Sequence, residues 1–118
     1  MTNNFKKKHS LQERIAESKK IMEKYEDRIP IIICKDPKCK ILADINKNKF
    51  LAPTDLTLGQ FLCVIRKRIE MDDAQALFIF VDESTLAVTS QSIGTIYQNH
   101  KDEDGFLYMI YCSENVFG

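Results

Sequence analysis

The carboxyl end of this 118-residue chain reads "SENVFG". Gly118 can be read as a reactive handle, a carboxylate carried on a slim tail so that another enzyme can activate it. The bland alternative is the frayed end of a domain, where such residues are well tolerated. Other groups with chemical potential are sparse. Cys34 and Cys39 have no second Cys or His pair nearby to complete a tetrahedral zinc site. His9 lies in the leader and His100 in a turn, so no Cys-His dyad is indicated. For these cysteines and for Cys63 and Cys112, reduced core or surface thiols are the better reading. "LGQF" holds a lone glycine and no phosphate-cradling run. The carboxylates of "KDEDG" and "MDDA" read as turn and helix-end solvation. No catalytic constellation, metal site or cofactor site emerges, and the expectation is that the chain is not an enzyme; a thiol enzyme would need a reactive cysteine.

Binding is better supported. Arg28, Lys47, Lys49 and Arg68 flank apolar segments rather than forming an unbroken basic block, which suits acidic peptides better than a nucleic-acid backbone. "KNKFLAP" combines charges with large apolar side chains. Such a strand can pair with an incoming extended peptide through its main chain. The same pattern also describes an edge strand that its lysines protect from aggregation.

The elements that must position these residues follow from periodicity. In "SLQERIAESKKIMEKY", Leu11, Ile15, Ser18, Met22 and Tyr25 form one stripe with Ile21 beside it, an amphipathic helix opened by a Ser10/Glu13 capping box. "NNFKKK" before it reads as a short helical or flexible lead-in. "RIPIIICK" is β-branched and suits a strand buried on both faces. Pro30 cannot donate to a ladder, so it is expected at the first residue of the strand or at a bulge. "DPKCK" reads as a turn, and Lys49 to Ala52 as a short extended segment ending at Pro53. "DLTLGQFLCVIRKRIEM" is a helix, with a Thr57/Gln60 capping box and Leu56 and Phe61 as a hydrophobic staple around it. Phe61, Val64, Ile65 and Ile69 form its apolar stripe. "ALFIFVD" is a strand, "STLAVTS" a turn or loop, and "IGTIYQNH" a short helix for which Ser90 is the expected cap. "FLYMIYC" is apolar on both faces and belongs centrally in a sheet. The order predicts an α+β domain with a mixed sheet folded around one long helix.

Composition sets the frame. At 118 residues with 44% hydrophobic and 29% charged residues, the chain is one globular domain. Nothing approaches the run of about 20 apolar residues that a membrane span needs, so residence in the cytoplasm is expected. The net charge of zero conceals a split: residues 1–50 carry 13 Lys+Arg against 7 Asp+Glu (+6), and residues 51–118 carry 4 against 10 (−6). Such asymmetry implies a positive face for acidic partners or anionic surfaces.

In register from Phe5 to Gly118, the segments "EKYEDRIPIII", "INKNKFLAP", "DLTLGQFLCVIRKRI", "ALFIFV", "IGTIYQNHKDEDGFLYMIY" and "ENVFG" resemble the GABARAP-like autophagy modifiers. These are ubiquitin-like proteins that become joined to phosphatidylethanolamine. The resemblance implies a ubiquitin-like β-grasp, a four-stranded mixed sheet around a long helix, preceded by two N-terminal helices. Residues 1–27 would be the helical extension, 28–112 the core and 113–118 the tail. It implies that Gly118 is adenylated, carried as a thioester between cysteines of activating and conjugating enzymes, and transferred to the lipid amine. A processing or delipidating cysteine protease is a further implied partner, and the lipidated form would sit on the autophagosome membrane.

The resemblance also implies a two-pocket groove for short acidic-hydrophobic motifs of cargo receptors and autophagy machinery. The first pocket, for an aromatic anchor, would be lined by Glu17, Ile21, Pro30, Lys49, Leu51 and Phe106. The second, for a Leu, Ile or Val anchor three residues later, would be lined by Phe50, Ala52, Pro53, Leu56, Phe61 and Val64. Arg28, Lys47, Lys49 and Arg68 would meet acidic flanking residues, and no nucleic-acid partner is implied. Phe78, Ile79 and Phe80 match a second docking surface of the family, or equally a buried strand. An unconjugated trafficking adaptor using the same groove is the alternative function.

Overall fold

Ser10 and Thr57 each open a helix in the predicted manner. Ser10 Oγ accepts from the Glu13 amide at 3.2 Å while the Glu13 carboxylate accepts from the Ser10 amide at 2.8 Å. Thr57 and Gln60 repeat the exchange at 3.2 and 2.9 Å. Each box satisfies donors that the first helical turn would otherwise leave orphaned.

The computed structural model describes residues 4–72, 75–82 and 85–113. Its elements are helix α1 (Asn4–Lys8), α2 (Leu11–Lys24), strands β1 (Arg28–Lys35) and β2 (Lys49–Pro53), helix α3 (Leu58–Arg68), strands β3 (Leu77–Val81) and β4 (Thr85–Leu86), helix α4 (Ile93–His100) and strand β5 (Leu107–Ser113). The described strands form one sheet in the order β2-β1-β5-β3-β4. β1 runs parallel to β5 at its centre, and the other pairings are antiparallel. The all-apolar segments therefore take the interior positions, as their two-faced burial requires.

Alternation divides the sheet into two faces. Ile29, Ile31 and Ile33 of β1, Phe50 and Ala52 of β2, Leu77, Ile79 and Val81 of β3, and Leu107, Met109 and Tyr111 of β5 join Leu58, Phe61 and Ile65 of α3 in the main core. The opposite face carries a smaller cluster of Phe5, Ile32 and Phe106, with Ile21 and Tyr108 against it. α1 and α2 cover that face.

Four sequence expectations change. The sheet has a fifth strand, because Thr85 and Leu86, read as a turn or loop, pair with Val81 and Phe80. Ser92, not Ser90, caps α4: its side chain accepts from the Thr95 amide at 3.1 Å. Pro30 is the third residue of β1 rather than the first. Ile33 donates to the Asn48 carbonyl at 2.8 Å, so alternation turns the Pro30 nitrogen toward β5, ahead of the point where that ladder begins at Ile31. No bond is lost there. Finally, the stripe on α2 is not buried as a unit. Ile15 and Tyr25 remain 39% and 37% exposed, whereas Ser18 is 4% exposed.

Ser18 is buried because α2 docks through polar contacts on the turn before β5. Arg14 Nη1 donates to the Asp104 carboxylate at 2.6 Å, and Ser18 Oγ donates to the Asp104 carbonyl. Asp104 also accepts from the Phe106 amide at 2.8 Å and from the Tyr108 hydroxyl. Burial and the neighbouring Asp104 push the Tyr108 hydroxyl well above the ordinary phenol range. Burial works against the Arg14 charge, but hydrogen bonds to Asp104 and Tyr108 prevail and raise its pKa. Among the described residues, no helix is long and apolar enough to cross a membrane.

Candidate peptide-binding groove

β2 is an outer strand of the sheet, and its register with β1 fixes which groups face outward. Ile33 N–H bonds Asn48 C=O and Thr54 N–H bonds Asp27 C=O, so the main-chain groups of Asn48, Phe50 and Ala52 turn inward. Those of Lys49 and Leu51 turn outward to the free edge. Pro53 is the next outward position and has no N–H.

The two predicted pockets lie on opposite faces of this strand. On the face under α2, Pro30 stands opposite Leu51 and Ile32 opposite Lys49. Ile21 packs with Ile32 and Phe106 there. Lys49 Nζ pairs with the Glu17 carboxylate across the opening, which joins β2 to α2. The six residues expected at pocket one therefore share one locality. Two residues that sequence reading left unassigned also belong to it. Ile32 is on the same face as Pro30 by simple alternation. Phe5, a lone aromatic in a basic leader, gave no such signal. Its ring lies 5.2 Å from Phe106 in an edge contact, with Lys49 Nζ 5.2 Å above it, and both phenylalanines are buried. A cavity of about 530 Å³ adjoins Phe5, lined also by Ile32, Cys34, Lys35, Asp44 and Asn48.

On the opposite face, Phe50 and Phe61 meet edge to face at 5.7 Å and 89°. Both are buried with Ala52, and Leu56 packs against them. Leu56 is half-buried and Val64 is exposed, so these two offer the accessible apolar surface around the second pocket, while Pro53, also half-buried, ends β2 at a position that follows Lys49 and Leu51 in the alternation. Lys47 Nζ lies 5.2 Å and Arg68 Cζ 5.7 Å from the centroid of the Phe50 ring. Two residues of the expected basic rim thus converge on one aromatic of the second pocket. Arg28 lies elsewhere on the rim: its Nη1 donates to the outward Leu51 carbonyl at 3.2 Å.

The remaining sequence candidates fall apart from this groove. Phe78 and Phe80 are half-buried and pack against the main core, and Ile79 is buried within it. Phe80 continues a cross-strand row with Ile110, Cys34 and the exposed Leu86. Cys39 is buried, with its Sγ 3.4 Å from Ser113 Oγ; burial opposes ionisation, but that contact and nearby amides lower its pKa. Burial pushes the Cys112 thiol up to about 11. Cys63 is exposed on α3. Among the described residues, no group of three or more His, Cys, Asp or Glu side chains is placed to hold a metal. Gly118 lies outside the described residues.

A family model described as autophagy protein Atg8, ubiquitin-like, matches residues 13–118. The chain belongs to the Atg8 ubiquitin-like family. It is 50% identical to autophagy-related protein 8 of Cochliobolus heterostrophus, over all of this chain and 98% of that protein. The protein of the same name from Neurospora crassa is also 50% identical, over all of this chain and 96% of its own length. In structure, the chain is similar to the crystal structure of Trypanosoma brucei ATG8, with a TM-score of 0.89, 38% identity and 97% of each chain covered. The Atg8 ubiquitin-like fold accounts for the parallel β1–β5 centre and the α3 crossing, and the α1–α2 pair lies on the far face of that core.

Proposed function

We propose that this Atg8-family chain is a modifier whose C-terminal carboxylate is joined to phosphatidylethanolamine, and that it then recruits cargo receptors to forming autophagosomes through the two-sided β2 groove. One observation carries the reading: the family match extends through Gly118 itself. The chain is the substrate of this chemistry, not its catalyst. The Gly118 carboxylate attacks the α-phosphate of ATP, giving an acyl adenylate and pyrophosphate. An enzyme cysteine thiolate displaces AMP to form a thioester. The ethanolamine nitrogen then attacks the thioester carbonyl, the C–S bond breaks as the C–N bond forms, and the amine proton leaves with the freed thiol. A glycine leaves that carbonyl unhindered at each step.

Two acyl chains per phospholipid supply about 0.8 kcal/mol for every buried methylene, enough for stable membrane attachment without a spanning helix. Removal of the lipid by a cysteine protease would release the domain to the cytoplasm. Partners with an aromatic anchor followed by an aliphatic one would add a short strand to the β2 edge, with alternate side chains directed to its two faces.

The test is incubation with activating enzyme, conjugating enzymes and phosphatidylethanolamine liposomes. The wild-type chain should form a thioester and then a lipid adduct, and Gly118→Ala should form no adduct. An adduct on the alanine variant would overturn the proposal. No adduct on either chain, with peptide binding intact, would leave an unconjugated adaptor. A Lys49→Ala, Leu51→Ala double variant should lose peptide binding in both cases.

A further inference from the structure

The edge that would receive a ligand strand is already occupied from within. Before Pro53 interrupts it, β2 presents outward the N–H and C=O groups of Lys49 and Leu51. Arg28 Nη1 holds one of them, the Leu51 carbonyl, at 3.2 Å. Arg28 stands opposite Pro53 in the register, at the end of the edge where the second anchor would sit. Its side chain is exposed, and among the described residues no carboxylate pairs with it.

We infer that Arg28 is a place-holder on the edge strand that makes an acidic residue just after the second anchor a condition of main-chain docking. The inference rests on the groove reading above. A ligand amide that takes the Leu51 carbonyl must first displace the guanidinium. For a neutral ligand this exchanges one hydrogen bond for another, and the gain from pairing largely cancels. A ligand with a carboxylate at the Pro53 end gives the displaced guanidinium a fork-shaped partner, so both bonds are kept. Arg28 thereby selects ligands by what it must give up as well as by its charge. Simple charge attraction, in contrast, changes the affinity of acidic ligands alone.

The experiment is calorimetric titration of wild-type chain and Arg28→Ala with two synthetic peptides. Both carry Trp-x-x-Leu, one followed by Asp and the other by Asn. Wild type should favour the Asp peptide, and Arg28→Ala should bind the Asn peptide about threefold to tenfold more tightly than wild type does, the equivalent of one released exposed hydrogen bond. An Asn peptide that binds Arg28→Ala no better than wild type would overturn the place-holder and leave the groove standing. If neither peptide binds wild type, the groove reading falls and the inference with it. Circular dichroism would verify that this exposed substitution leaves the fold unchanged.

Discussion

Ser18 occupies the space that a side chain on Gly105 would need. A Cβ built at Gly105 would lie 2.5 Å from Ser18 Oγ and 3.1 Å from Ser18 Cβ, and Gly105 has φ +91°. The bare backbone at 105 and the small hydroxyl at 18 are therefore one joint, through which α2 sits on the core.

Gly105→Ala should destabilise the domain by about 1–3 kcal/mol, from the left-handed backbone and the collision together. The double variant with Ser18→Gly should lose less than the sum of the two single losses, since the collision at Gly105 is relieved only when the Ser18 side chain is gone. Urea unfolding of the two single variants and the double variant measures this. A Gly105→Ala protein as stable as wild type would mean that α2 docks by another route.

Asp104 should be costlier to remove. Its side chain is fully buried and accepts from Arg14, Tyr108 and the Phe106 amide, and truncation takes the acceptor from all three, with Arg14 keeping only its bond to the His9 carbonyl and the more distant Asp102. Breaking one side of such a buried pair costs about 3–5 kcal/mol. Asp104→Ala should lower the unfolding midpoint accordingly and loosen α2, which would show as faster amide exchange along Leu11–Lys24.

Residues around the groove should separate into two kinds. Phe61 is 2% exposed, and Phe61→Ala should cost about 3–5 kcal/mol as a core truncation. Leu51 is half-buried at the edge, and Leu51→Ala should change stability by no more than about 1 kcal/mol while weakening peptide binding. Thermal melts paired with titrations separate the two effects, and only the second substitution tests the groove cleanly.

Acid should release α1 late. Burial raises the Asp102 pKa, but its hydrogen bond from Lys6, the Asp104 amide and the nearby Lys6 and Arg14 charges outweigh burial and lower it below 3.8. A carboxylate depressed in the folded state stabilises fully above its unfolded value and loses that contribution as pH falls through the folded one. The Lys6–Asp102 contact at 2.7 Å should thus persist through the pH range in which ordinary carboxylates titrate and fail only in stronger acid. Amide exchange of Asn4–Lys8 across that range is the measurement. Because Lys6 is 40% exposed, high salt should weaken the same contact.

Thiol accessibility should follow position in the fold. Cys63 should react first with a maleimide, Cys34 more slowly, and Cys39 and Cys112 only after unfolding. Mass spectrometry of partly labelled protein gives the order. Early modification of Cys39 would show that the 36–44 connection opens readily.

Much of this fold was legible because its local signals agree with one another. The boxes at Ser10 and Thr57 set both long helices, and the apolar runs at β1, β3 and β5 marked the interior of the sheet. Where the reading failed, a distant contact decided. Ile15 and Tyr25 complete a regular stripe, yet α2 is held by Arg14 and Ser18 on a turn some ninety residues away, and periodicity cannot register such an anchor. β4 is two residues long and exists through its pairing with β3, so it carries no pattern of its own. Ser90 and Ser92 are equivalent caps by type, and only the start of the helix chooses between them. In the groove, it was the family resemblance that assigned Phe50 and Ala52 to one pocket and Lys49 and Leu51 to the other. Phe5 was out of reach because its partners, Ile32 and Phe106, belong to other parts of the chain.

The proline that closes the outward row of β2 limits growth in either direction of use. A visiting segment gains only a brief stretch of backbone pairing before the row ends, so its hold stays weak unless side chains add to it. A second copy of the domain meets the same stop, which discourages stacking of identical sheets into fibres at high local density. An open margin can then accept short guests without becoming a seed for aggregation.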